Sequence, residues 1–186
     1  MSEDKNRVCP VELAGSLDNS FRRFLQNPRR LLKPYIKNDM TVLDLGCGPG
    51  FFSIEIAKML GKKGEVIAAD LQEGMLDKVY NKIKGTDLEQ RIKLHKCLNG
   101  GIGVTEKVDF ILAFYMIHEV PDKNKLFEEL KLILKPDGKM LIVEPMFHVT
   151  KKAFNNMVNN LKSIGFAVND SPKLFFSRSV LLTNKD

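Results

Sequence analysis

The sequence is poor in several features that mark whole classes of protein. No apolar run among its 186 residues approaches the roughly 20 needed to cross a bilayer, so no membrane span is expected. Cysteines number three, and Cys9, Cys47 and Cys97 stand far apart. An odd, scattered set disfavours a disulfide framework and fits a reducing cytoplasm. Cys-x-x-Cys and His-x-x-x-His pairs are both missing, so no metal site is expected. The phosphate-loop pattern G-x-x-x-x-G-K-[ST] is absent, as are internal repeats and low-complexity linkers. The stretch from Met1 to Arg7 is polar and charged, which predicts no secretory signal.

What is present suits one globular domain. Hydrophobic residues make up 44% and charged residues 28%, a balance that excludes a wholly disordered chain. The net charge of +6 invites a nucleic-acid reading, but its distribution argues against one. Residues 1–40 carry +3, residues 41–120 carry −1 and residues 121–186 carry +4. The excess is mostly lysine on expected helix faces, and the neutral middle holds the motifs.

Apolar periodicity alternates between strand and helix. Strands are expected at Thr41–Leu45, Glu65–Ala69, Ile92–Cys97, Val108–Phe114 and Lys139–Val143. Helices are expected at Phe51–Leu60, Gly74–Lys84, Lys123–Leu134 and Lys151–Ile164. Pro136-Asp137-Gly138 reads as a turn, and Phe166–Val168 with Arg178–Thr183 as a closing hairpin pair. Continuous apolar strands separated by helices imply a mostly parallel sheet covered on both faces. The predicted class is α/β, a single Rossmann-like, doubly wound, seven-stranded sheet over residues 41–186. The segment Asp18–Ile36 is expected to be helical, and residues 1–40 are assigned to a helical lid.

The sharpest local signal is Val42-Leu43-Asp44-Leu45-Gly46-Cys47-Gly48-Pro49-Gly50. Glycines between a strand and a helix permit a tight turn and let a ligand approach the backbone. The helix that follows offers unpaired N–H groups at its N-terminus. The spacing is G-x-G-x-G, and Phe51 occupies the place of the third glycine of a nicotinamide dinucleotide fingerprint. Asp70 follows Gly50 by 20 residues and closes the second strand, where a carboxylate can accept from both ribose hydroxyls.

Taken in order, Asp44-Leu45-Gly46-Cys47-Gly48-Pro49-Gly50, Asp70, Met116-Ile117-His118-Glu119-Val120-Pro121-Asp122 and Leu134-Lys135-Pro136-Asp137-Gly138-Lys139 resemble the motifs of class I S-adenosylmethionine-dependent methyltransferases. The resemblance runs from about Thr41 to Val143 and is nearest to the small quinone-biosynthesis group. It implies S-adenosyl-L-methionine as cofactor, S-adenosyl-L-homocysteine as product, and a small-molecule acceptor. Carried over by position, Gly46, Cys47, Gly48 and Gly50 would pass beside the methionine part and ribose. Asp44 would orient the cofactor's amino group and Asp70 would bind the ribose diol. Leu71 and Met75 would line the adenine pocket, and the carbonyls of Ala113 and Phe114 would face the ammonium. Leu98 stands where the family often has an aspartate for the adenine amino group; leucine has no side-chain acceptor, so any contact there is main-chain or apolar.

Catalytic candidates lie at the carboxyl ends of the fourth and fifth strands. The candidates for a base are His118, which suits proton transfer at neutral pH, Glu119, Glu144 and, just beyond, His148. Tyr115 can present an aromatic face near a sulfonium methyl. Phe21-Arg22-Arg23-Phe24-Leu25 and Asn27-Pro28-Arg29-Arg30 offer arginines to an anionic substrate. Three alternatives stand beside the small-molecule reading: arsenite-type metalloid transfer through the cysteines, nucleic-acid methylation, and a non-catalytic cofactor-binding module. The Asn/Asp-Pro-Pro-Tyr/Phe motif of amino-methylating DNA enzymes is replaced here by Phe114-Tyr115-Met116-Ile117, so no nucleic-acid partner is expected. The sequence carries no signal of oligomeric state.

Overall fold

The computed structural model describes residues 27–98 and 100–185. Cys9, the Phe21–Leu25 segment with Arg22 and Arg23, and most of the expected lid lie outside the described residues. What is described of the lid is a single short helix, α1 (Pro28–Leu32), capped by the Asn27 side chain, which accepts from the Arg30 N–H.

Seven strands form one sheet: β1 (Thr41–Leu45), β2 (Glu65–Asp70), β3 (Ile92–Lys96), β4 (Val108–Phe114), β5 (Leu134–Pro145), β6 (Phe166–Asp170) and β7 (Ser177–Asn184). Their spatial order is β3-β2-β1-β4-β5-β7-β6. The first five strands are parallel; β7 runs antiparallel between β5 and β6. The order in which strands are added reverses at β1, between β2 and β4, which is where open α/β sheets bind ligands.

Helices α2 (Phe51–Met59), α3 (Glu73–Ile83), α4 (Lys123–Ile133) and α5 (Lys151–Ile164) cover the sheet. Strand alternation decides the two cores. Val42, Val66, Phe110, Leu112 and Leu141 face α1, α2 and α3. Leu43, Ile67, Ile111, Ala113 and Ile142 face α4 and α5. Each amphipathic helix presents the stripe expected of it, such as Leu126, Phe127, Leu130 and Ile133 on α4. No helix among the described residues is long and apolar enough to cross a membrane.

The structure corrects one local expectation. Pro136-Asp137-Gly138 is not a free turn between helix and strand. Leu134 already pairs with Val108, and pairing resumes at Phe110 with Lys139, so residues 135–138 form a bulge inside β5. Asp109 holds the bulge from the neighbouring strand: its Oδ1 takes the Lys135 ammonium at 2.8 Å, and its Oδ2 accepts the Thr41 N–H at 2.8 Å. An ion pair with a strand two elements earlier overrode the turn chemistry of Pro-Asp-Gly.

Candidate functional site

Three strand ends build the site. The β1 end turns through Gly46, whose φ is +70°. A Cβ there would lie 2.8 Å from Cβ of Met116, so only glycine fits under that side chain. Gly46 and Cys47 both donate their N–H to the Ala69 carbonyl, tying the loop to β2. Lys82 on α3 donates to the Pro49 carbonyl at 2.8 Å and holds the loop from below. Gly50, at φ +84°, then starts α2 without a side-chain cap. The space beside Gly48 is open: a Cβ there would meet nothing within 4 Å.

Two buried carboxylates flank this loop. Asp44, 2% exposed, accepts the Ser53 hydroxyl of α2 at 2.5 Å. Asp70 accepts the Gly48 N–H on Oδ2 and the Gln72 N–H on Oδ1, each at 2.9 Å. Burial raises the Asp70 pKa above the ordinary carboxylate value, and the Gln72 and Gly48 N–H groups and Lys96 oppose that rise. A glycine cradle with open space over Gly48, between two oriented carboxylates, fits a ligand that carries an ammonium at one end and a diol beyond it.

On the far side of β1, β4 ends at Phe114, and Tyr115 takes a left-handed φ of +60°. The conformation is costly for a tyrosine and persists because both ends of the residue are held. Its N–H bonds the Val143 carbonyl at 2.8 Å, and its hydroxyl meets Ser177 Oγ at 2.5 Å. Phe52, Phe114 and Tyr115 follow one another ring to ring, at 4.5 and 4.3 Å between centroids.

Next to them stands a histidine–carboxylate pair. His118 Nδ1 lies 2.7 Å from Glu144 Oε2, and Glu144 Oε1 accepts the Ile117 N–H at 3.1 Å. Glu144 is 1% exposed, so both oxygens need these partners. Its hydrogen bond pushes the His118 pKa above the ordinary histidine value, against the opposing effect of burial. The other ring nitrogen, Nε2, lies 4.0 Å from Glu119, and the His148 ring stands edge-on with centroids 5.7 Å apart. Beyond this pair the surface is apolar: Met146, Phe147, Phe175 and Phe176 are all exposed, and Phe176 packs against both other phenylalanines.

The expected residues lie along the carboxyl ends of β1 to β5, with differences of role. Met75 is 2% exposed and buried under α3. Ala113 is wholly buried, whereas Leu71 and Leu98 are exposed at the β2 and β3 ends. Arg29 pairs with Glu55 of α2 at 3.0 Å. Burial pushes the Cys47 thiol up, and Cys97 is pushed up to about 11, so both are thiols at neutral pH. Ser53 and Ser177 were not anticipated. Ser53 had a readable signal, a polar residue on the apolar face of α2 beside Phe52 and Ile56, but its partner lies on β1.

Comparisons with known proteins bear on the family and the fold. A family model described as "Methyltransferase domain" matches residues 36–174. A demethylmenaquinone methyltransferase of Lactobacillus johnsonii is 36% identical over 103 residues, covering 55% of this chain and 42% of that one. The ubiquinone/menaquinone biosynthesis C-methyltransferase UbiE of Haemophilus ducreyi is 26% identical over 142 residues, covering 73% of this chain and 55% of that one. The chain thus spans about half the length of the curated relatives it matches. Among solved structures, an S-adenosylmethionine-dependent methyltransferase from Aquifex aeolicus superposes with a TM-score of 0.85 at 27% identity, over 95% of this chain and 100% of that one.

Proposed function

The chain belongs to the class I S-adenosylmethionine-dependent methyltransferases, and we propose that it methylates a small, largely apolar acceptor whose proton is taken by His118. The observation that carries the reading is the His118–Glu144 pair at the carboxyl end of β4 and β5. It stands beside the glycine loop and its two carboxylates, at the mouth of an exposed aromatic surface.

S-Adenosylmethionine, when bound, supplies a methyl group activated by its sulfonium. The residues of the chain do the rest. Asp70 holds the ribose diol, and Asp44, oriented by Ser53, faces the amino group. Glycines 46 and 48 let the backbone lie close to the ligand. Phe114 and Tyr115 offer aromatic faces to the positive charge. Glu144 keeps the His118 proton on Nδ1, which leaves Nε2 to accept the proton of the acceptor. The resulting imidazolium is stabilised by the same carboxylate. Exclusion of water from this end falls to Met146, Phe147, Phe175 and Phe176 together with the acceptor.

The names of the relatives support an acceptor of the quinone-precursor kind, and the apolar shelf supports it independently. The test is methyl transfer from labelled S-adenosylmethionine across a panel of phenols, quinols, thiols, amines, arsenite and RNA. Transfer to phenols or quinols, lost in His118→Ala with unchanged S-adenosylhomocysteine affinity, is the expected result. Transfer to arsenite or RNA alone, or binding with no transfer to any acceptor, refutes it.

A further inference from the structure

The cofactor's base end has an unusual surrounding in this chain. The sheet order places β3 and β4 on opposite sides of the β2–β1 pair. If Asp70 at the β2 end holds the ribose and the reacting centre lies toward His118 after β4, the purine extends the other way, across the end of β3. Two exposed leucines stand there, Leu71 directly after β2 at 41% and Leu98 two residues after β3 at 66%. The Cys97 N–H donates to the Asp70 carbonyl at 2.9 Å and joins the two strand ends.

Each main-chain group of the two leucines already has a partner within the protein. The Leu98 N–H donates to the Gly101 carbonyl at 3.1 Å, and the Gly101 N–H returns to the Leu98 carbonyl at 3.3 Å. The Leu71 carbonyl accepts from the Lys96 ammonium, and its N–H is turned to the Asp70 carboxylate. Two nearby side chains among the described residues are engaged as well. Lys96 lies 3.7 Å from Glu73, and Glu129 Oε2 takes the Ile102 N–H at 2.7 Å.

We propose that this chain clasps the purine between Leu71 and Leu98 by shape and apolar contact, and does not read its 6-amino group. The proposal rests on the cofactor site assigned above. Apolar walls reward burial of the ring faces, while a 6-amino group left at the open rim keeps its water whichever substituent is there. A site built to hydrogen-bond a group rejects the analogue lacking it; a site without a partner for that group has no means to do so.

The experiment is calorimetry on the full chain with S-adenosylhomocysteine and with the analogue whose 6-amino group is replaced by hydrogen. The two are expected to bind within roughly threefold of each other, less than the loss of one net hydrogen bond. Leu98→Asp supplies an acceptor and is expected to open a gap of roughly fivefold or more in favour of the amino compound. Leu98→Ala and Leu71→Ala should weaken both ligands in parallel. A wild-type preference of tenfold or more for the amino compound overturns the proposal alone. Failure of S-adenosylhomocysteine to bind overturns it together with the site assignment beneath it.

Discussion

Replacing Glu144 by glutamine removes one charge and almost no volume, and its effect can be worked from two distances. Glu144 accepts from Ile117 N–H at 3.1 Å and from His118 Nδ1 at 2.7 Å, with no water to replace either partner at 1% exposure. An amide has one oxygen. If that oxygen turns to His118, the NH2 faces the Ile117 N–H and leaves a buried donor unsatisfied, at about 1–3 kcal/mol. The opposite placement is therefore favoured: oxygen to Ile117, NH2 to His118. Nδ1 must then accept, the ring proton moves to Nε2, and the atom that takes the acceptor's proton is already occupied. General-base catalysis contributes roughly 10²–10⁴ in rate, so kcat should fall by about 10²–10³, the lower part of that range. The moderation follows from the 24% exposure of the His118 side chain, which lets water reorient the ring.

Steady-state kinetics with the acceptor, calorimetry with S-adenosylhomocysteine and ¹⁵N chemical shifts of the imidazole together decide it. Expected are a lower kcat, an unchanged cofactor Kd and a proton shifted from Nδ1 to Nε2. A kcat within threefold of wild type, or equal losses in kcat and cofactor affinity, refutes the reasoning. The pH dependence supplies a second check. The Glu144 hydrogen bond raises the His118 pKa above 6.5, so wild-type kcat should rise with pH through a value above 6.5, as the base loses its proton. In Glu144→Gln that limb moves to lower pH. The same linkage acts on stability: the contribution of the pair is complete below the unfolded pKa of about 6.5 and is lost as pH rises through the higher folded value. The stability gap between wild type and Glu144→Gln should thus be wider at pH 6 than at pH 9 in urea titrations.

Three further outcomes follow from the site. Gly46→Ala puts a Cβ 2.8 Å from Met116 at φ +70° and should lower unfolding free energy by about 1–3 kcal/mol, whereas Gly48→Ala at φ +52° carries backbone strain without a clash, so it should cost less stability than Gly46→Ala and weaken S-adenosylhomocysteine binding. Thermal melts and calorimetry on the two variants separate these effects, and the reverse pattern contradicts the placement of the ligand over Gly48. Ser53→Ala removes the 2.5 Å partner of Asp44 and should weaken cofactor binding by roughly three- to tenfold; an unchanged Kd removes Ser53 from the site. Phe147→Ala and Phe176→Ala, whose rings lie 5.4 Å apart, should raise the acceptor KM with little change in kcat, and a fall in kcat alone speaks against a binding shelf.

Local pattern carried most of the fold. Continuous apolar runs such as Val108–Phe114 and the α4 stripe Leu126, Phe127, Leu130 and Ile133 announce themselves because burial repeats with the period of the element. The glycine loop and Asp70 were legible for a related reason, since a strand-to-helix turn and a strand-end acid are requirements of neighbouring residues. Helical spacing puts Met75 on the buried side of α3 and is the same for a core residue and a pocket wall. The expected turn at Pro136-Asp137-Gly138 failed because Asp109, 26 residues before Lys135, holds that segment as a bulge.

By itself, the sequence determined the order and type of the elements, the position of the glycine loop and the neutral charge of the middle third. Only the tertiary structure decided who meets whom. His118 and Glu144 are 26 residues apart and meet because β4 and β5 are parallel neighbours. Tyr115 and Ser177 are 62 apart and meet because β7 inserts antiparallel beside β5. The paired main-chain groups of Leu71 and Leu98 exist only once β2, β3 and the loop to Gly101 are in register. Residue type and spacing report the free energy of burying a local segment, whereas a hydrogen bond between distant side chains depends on strand order and register, which no short window of sequence contains.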